Sequence, residues 1–110
     1  MIEYDIKNIR MITIYTLPRC VHCNRVKIFL NYYRLPYVEY DVSRDQVKLQ
    51  DMYYKSGQYG TPVIDLDGHI IVGFNEPYLI QILRQRGYLS AYARVARYTK
   101  KPQRTQHSYR

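Results

Sequence analysis

The only two cysteines of the chain, Cys20 and Cys23, stand three positions apart in "TLPRCVHC". Two thiols at that spacing can form a redox couple, half of a zinc site, or a pair of inert buried side chains. A structural zinc site takes four protein ligands, and beyond the pair only His22, His69 and His107 offer nitrogen. His22 lies between the cysteines and is poorly placed to complete a tetrahedron with them. The redox couple is therefore the favoured reading, and its chemistry depends on what the surrounding chain does to each sulfur.

Residues 11 to 16, "MITIYT", alternate β-branched and aromatic side chains and read as a strand. From Val21 the period changes, with Val26, Phe29, Leu30 and Tyr33 at helical spacing, so a helix starts close to the cysteines and ends before Pro36. Its first turn presents unpaired backbone N–H groups and a partial positive charge to the first sulfur, which favours the thiolate. Arg19, with Arg25 and Lys27, adds to that field. Cys20 is thus expected to be the exposed nucleophile. Cys23, one turn further in, is the resolving thiol that attacks the mixed disulfide and closes the Cys20–Cys23 bond.

The remaining elements follow from the same signals. "YVEYDV" (37 to 42) reads as a second strand, parallel to the first because a helix joins them. Ser43 with Gln46 fits a capping box, ahead of a helix carrying Leu49, Met52 and Tyr53 on one face and running to about Gly57. "PVIDL" and "HIIVG" flank Asp67-Gly68, a strong hairpin signal. Asn75 caps a last helix with Pro77 in its first turn and Leu79, Ile80, Ile82 and Leu83 as apolar positions, closing at Gly87. The order βαβαββα predicts an α/β fold with a four-stranded mixed sheet. Thr61-Pro62 opens the third strand either as a plain first-residue proline or as a cis bond that turns the Thr61 backbone toward an incoming peptide.

At 110 residues the chain has room for one domain. Its net charge of +8 is uneven: residues 1–10 carry 0, residues 11–89 carry +2 and residues 90–110 carry +6. An acidic partner, protein or nucleic acid, is expected to meet the C-terminal tail, where Tyr92, Tyr98 and Tyr109 interleave the bases. The competing reading is a solvated tail, helical with Tyr92, Val95 and Ala96 on one stripe, then polar and disordered after Pro102. Residues 1–10 read as an extension outside the common core. No apolar run is long enough for a membrane span and the N-terminus has no signal-peptide core, so a cytoplasmic protein with no membrane partner is expected.

"ITIYTLPRCVHC", "GTPVIDLDGHIIVGF" and the βαβαββα order together resemble the glutaredoxin branch of the thioredoxin superfamily over about residues 11–89. Within it the chain is most similar to the small hydrogen donors of ribonucleotide reductase, the NrdH-redoxin type, which carry Cys-Val-x-Cys and a Gly-Phe pair ahead of the last helix. The resemblance implies a thioredoxin-like fold, catalytic Cys20 and Cys23, a cis proline at Pro62, and substrate-binding positions at Thr61, Pro62, Gly73 and Phe74. It implies no metal or organic cofactor. Electrons would come from thioredoxin reductase or glutathione, and the substrate would be a protein disulfide such as that of ribonucleotide reductase.

Three features depart from that pattern. "GFNEPY" lacks the second glycine of glutathione-binding relatives, and only Glu76 supplies a carboxylate. His22 stands before the second cysteine, as in strongly oxidising relatives. It either raises the potential above the roughly −270 mV of thioredoxin toward roughly −120 mV, or sits exposed with little effect. The basic tail is the third. "VGFNE" and the basic end also resemble redox-sensing transcription regulators of the Spx, arsenate-reductase-like type, which bind RNA polymerase; those, however, carry a long helical insert and Arg-Pro in place of Thr61-Pro62.

Overall fold

The computed structural model describes residues 11–89. The sequence expectations of an N-terminal extension over residues 1–10 and of a tail over residues 90–110 both fall outside the described residues. The elements run β1 (Ile12–Thr16), α1 (Val21–Tyr32), β2 (Tyr37–Asp41), α2 (Gln46–Ser56), β3 (Val63–Leu66), β4 (His69–Val72) and α3 (Glu76–Gln85). They form two units, the first ending at Phe74 and the second beginning at Asn75.

In the first unit the strand order is β2-β1-β3-β4. β1 pairs parallel with β2, Ile12 opposite Tyr37 and Thr16 opposite Asp41. It pairs antiparallel with β3, which in turn pairs antiparallel with β4, so the sheet is mixed. β1 is central and covered on both faces, which is why Ile12, Ile14, Tyr15 and even the polar Thr16 are all buried, with only Thr13 partly exposed. The edge strand β2 has no fully buried residue.

The alternation of side chains assigns each helix a face. Tyr15 and Val63 cluster with Val42 and with Met52 of α2, flanked by Tyr40, Leu49 and Ile70. Thr16 and Glu39 point to the opposite face, and Lys27 of α1 reaches Glu39 there at 2.9 Å. α1 buries Cys23, Val26, Phe29 and Leu30, one stripe at helical spacing. Asp67 and Gly68 both take positive φ, 54° and 103°, the pair that a two-residue type I′ turn requires.

Two details correct the sequence reading. The N-cap of α2 is Asp45, whose carboxylate accepts from the Lys48 N–H at 3.0 Å, and not Ser43. Ser43 is held earlier in the turn, where its N–H and hydroxyl both donate to Asp41, which leaves a stronger anionic acceptor at the helix start. Tyr53, expected beside Leu49 and Met52, is instead exposed and stacks on Tyr59, with ring centroids 4.5 Å apart.

In the second unit, Asn75 caps α3 by accepting from the Tyr78 N–H at 3.0 Å, and a proline occupies the first turn. Leu79, Ile80, Ile82 and Leu83 are buried. Gly87, at φ 85°, ends the helix by donating to Arg84, while the Tyr88 N–H reaches the Leu83 carbonyl.

Candidate redox site

β1 delivers the chain to the cysteines. Its last residue, Thr16, is buried, and its hydroxyl donates to Glu39 Oε2 at 2.7 Å, while its carbonyl accepts from the Val42 N–H. Lys27 donates to the same carboxylate oxygen at 2.9 Å. Glu39 thereby joins the end of β1, the edge strand β2 and helix α1 at the base of the loop that carries the site. Lys27 was expected to add to the field at the sulfur; its ammonium is instead committed to Glu39, a carboxylate partner within hydrogen-bonding reach.

After Leu17 and Pro18 the backbone turns through Arg19 at φ 65°, a left-handed conformation uncommon for a residue other than glycine. Cys20 follows in extended conformation, φ −93° and ψ 109°, as the N-cap of α1. Its Sγ accepts from the Cys23 N–H at 3.2 Å, a role usually filled by a side-chain oxygen. Its carbonyl accepts the first helical hydrogen bond, from Asn24. No acidic residue sits in the first turn of α1 to oppose negative charge on that sulfur. Cys20 and Cys23 are joined by a disulfide with Cα atoms 5.2 Å apart. Cys20 is half-buried, whereas Cys23 is only 1% exposed.

A second segment meets the pair from the far end of α2. The Thr61 hydroxyl donates to Cys20 Sγ at 3.5 Å, so two donors from different parts of the chain converge on one sulfur. The Thr61-Pro62 bond is cis and Pro62 is buried. The Pro62 carbonyl accepts from the Gly73 N–H at 2.8 Å, and Gly73 has φ 85°, open to glycine without strain. The Phe74 ring meets Phe29 of α1 edge-on at 5.8 Å.

The residues singled out in the sequence are thus connected from Cys20 and Cys23 through Thr61 and Pro62 to Gly73, with Phe74 tied to the same helix. Arg19 and His22 are exposed beside the pair. Among the described residues, no three His, Cys, Asp or Glu side chains gather as a metal site. No described helix is long and apolar enough to cross a membrane. Glu76, in the second unit, has its carboxyl pushed up by burial.

Sequence reasoning missed Glu39 and Gln58. Glu39 carried a signal, an acidic residue in a strand facing the side of Thr16. Gln58, whose carboxamide bonds both the N–H and the carbonyl of Gly60 beside Thr61, carried none, because it lies in an irregular loop where no periodicity applies.

A family model for glutaredoxin matches residues 12–71. An uncharacterised glutaredoxin-like protein encoded in a rubredoxin operon of Clostridium pasteurianum is 36% identical over 75 residues, covering 68% of this chain and all of that protein. A thioredoxin-like protein of known crystal structure is 36% identical with a TM-score of 0.62, over 66% of this chain and 99% of that one. The glutaredoxin-like NrdH-redoxin from Escherichia coli, which has a thioredoxin-like activity profile, is 26% identical with a TM-score of 0.59, over 66% of this chain and 93% of that one. With a Cys-x-x-Cys disulfide at the head of α1, a four-stranded mixed sheet, three helices and these relatives, the chain belongs to the glutaredoxin family of thiol-disulfide redox proteins.

Proposed function

We propose that the protein reduces disulfides of other proteins by a two-thiol mechanism, with Cys20 as nucleophile and Cys23 as resolving thiol. The observation that carries this reading is the asymmetry of the pair. Cys20 caps the helix and is partly open to an incoming disulfide, while Cys23 is buried one turn behind it.

In the reduced protein the Cys20 thiolate attacks one sulfur of the substrate disulfide, forming a mixed disulfide and releasing the first substrate sulfur as a thiolate that takes up a proton. Cys23 then gives up its proton and attacks Cys20 Sγ. The bond from Cys20 to the substrate breaks, the second substrate thiol leaves, and the Cys20–Cys23 disulfide closes. Two electrons and two protons pass to the substrate. Thr61, Pro62, Gly73 and Phe74 lie along the path by which a substrate chain would approach, with Arg19 and His22 at its rim.

In this reading the protein works in the cytoplasm, where a Cys-x-x-Cys pair is more often catalytic than structural, and no metal or organic cofactor enters the cycle. Thioredoxin reductase or glutathione returns the electrons. The sequence resemblance to the hydrogen donors of ribonucleotide reductase makes that enzyme the substrate in this reading.

Two measurements test the proposal. NADPH consumption by the oxidised protein with thioredoxin reductase, or with glutathione and its reductase, identifies the donor. Cys23→Ser should accumulate a mixed disulfide with the target, because the nucleophile remains and the resolving thiol is gone, whereas Cys20→Ser should trap far less. Equal trapping by the two variants would refute the assigned order of attack.

A further inference from the structure

The loop between α2 and Pro62 is laced by one side chain. The Gln58 carboxamide holds both backbone groups of Gly60: its Oε1 accepts from the Gly60 N–H at 2.6 Å, and its Nε2 donates to the Gly60 carbonyl at 3.1 Å. Gln58 is itself anchored to the end of α2. The Ser56 hydroxyl donates within reach of the Met52 and Gln58 carbonyls, at 2.7 Å and 3.0 Å. It also accepts from Gln58 N and Nε2. Both hydrogen-bonding groups of the residue before Thr61 are therefore held by a side chain rather than by a strand partner. The next residue places its hydroxyl 3.5 Å from Cys20 Sγ.

We infer that the Thr61 hydroxyl is a catalytic group that stabilises the Cys20 thiolate, and that Gln58 is the positioning residue that holds it there. This rests on the reading of Cys20 as nucleophile. A disulfide sulfur is a weak acceptor and a thiolate a strong, charged one, so the bond from Thr61 strengthens when the pair is reduced. It adds to the Cys23 N–H on the same sulfur and favours the reduced, charged form over the disulfide. Removing it must make Cys20 harder to ionise and the protein a stronger reductant.

The test uses the full chain in two forms. In Cys23→Ser protein, where Cys20 is the only thiol, ultraviolet thiolate absorbance is titrated against pH. Thr61→Val, which keeps the shape and removes the donor, should leave about tenfold less thiolate at a given pH below the midpoint, an upward move of about one pH unit. Thr61→Ser, which restores a hydroxyl, should recover most of it. In the two-cysteine protein, Thr61→Val should shift the equilibrium with a glutathione buffer about tenfold toward the disulfide, or about 30 mV.

Gln58→Ala should move the midpoint in the same direction by about threefold, as should Gly60→Ala, whose methyl would come 2.8 Å from the same Oε1. Neither should add to the effect once Thr61→Val is present, because a residue acting through Thr61 has nothing left to position. An unmoved midpoint in Thr61→Val overturns the role of the hydroxyl. Equal effects of Gln58→Ala with and without Thr61 overturn the positioning role. If the midpoints move as expected but the wild-type protein reduces no disulfide, the proposed function fails and the thiolate assignment stands.

Discussion

Cys20 and Cys23 share a disulfide and a helical turn, yet their surroundings differ in exposure, in hydrogen bonding and in the charge they favour. Cys20 is half-buried and receives two donors, whereas Cys23 is 1% exposed and contributes its own N–H to the other sulfur. After reduction, brief treatment with iodoacetamide at neutral pH should label Cys20 well ahead of Cys23, as mass spectrometry of the partly alkylated protein would show. Preferential labelling of Cys23 would reverse the roles. At this scale the sequence was readable wherever a residue's chemistry is uncommon: two cysteines at a spacing of three, and a proline at the head of a strand. It was not readable where ordinary polar residues act through distant partners. Lys27 looked like a cation near the sulfur until β2 brought Glu39 within 2.9 Å of it. Gln58 became informative only once its carboxamide was found on Gly60.

Helix α2 is fastened to the sheet by more than the apolar cluster around Met52. Tyr15, buried in β1, donates its hydroxyl to Asp51 at 2.6 Å, and Lys55 donates to that hydroxyl and to Asp65 of β3, both at 2.8 Å. Asp65 also accepts from the Gly68 N–H, so the same carboxylate steadies the hairpin turn. Burial alone would lower the Lys55 pKa, but the bond to Asp65, then that to Tyr15, holds it well above the usual lysine range. Burial, then the bond to Asp51, raises that of Tyr15. Both groups favour their protonated forms in the folded state, so the stability they contribute is fully present below about pH 10 and is lost as pH rises beyond it. Asp51 runs the other way. The bond from Tyr15 holds its carboxyl below the ordinary value of 3.8, and its contribution is lost as pH falls through that range. Lys55→Met should cost about 1–2 kcal/mol in urea unfolding at pH 7, between the values of an exposed pair and a buried one. It should also flatten the alkaline decline; an unchanged alkaline profile would show that the fall arises elsewhere. Element type and order were legible because period and turn chemistry agree, as at Asp67-Gly68. The start of α2 was misread because serine, a good cap in isolation, was already engaged by Asp41, and Tyr53 was misread because helical spacing does not reveal a loop tyrosine waiting beside it.

Across the whole chain, the excess of positive charge lies in residues 90–110, which carry +6 of the total +8. If that charge aids encounter with an acidic protein or nucleic acid, association of the full chain should weaken sharply between low and high salt, as the Debye length falls from about 10 Å at 0.1 M to about 3 Å at 1 M. A chain ending at Ser90 should respond much less, and both should reduce a small uncharged disulfide at the same rate. A several-fold loss of that small-disulfide rate on truncation would place the tail in the fold or the site. Composition made this asymmetry plain, but charge alone names no partner and fixes no backbone, which is why the segment's role was the least legible part of the sequence. Composition also gives the Tyr53–Tyr59 stack a practical meaning. The chain has fourteen tyrosines and no tryptophan, and this pair lies nearly parallel, 19° apart, with one ring on α2 and the other two residues ahead of Thr61. Near-ultraviolet circular dichroism senses aromatic rings held in fixed packing, so the part of that signal lost in Tyr59→Leu is a label-free optical gauge of how well the Thr61 loop is ordered.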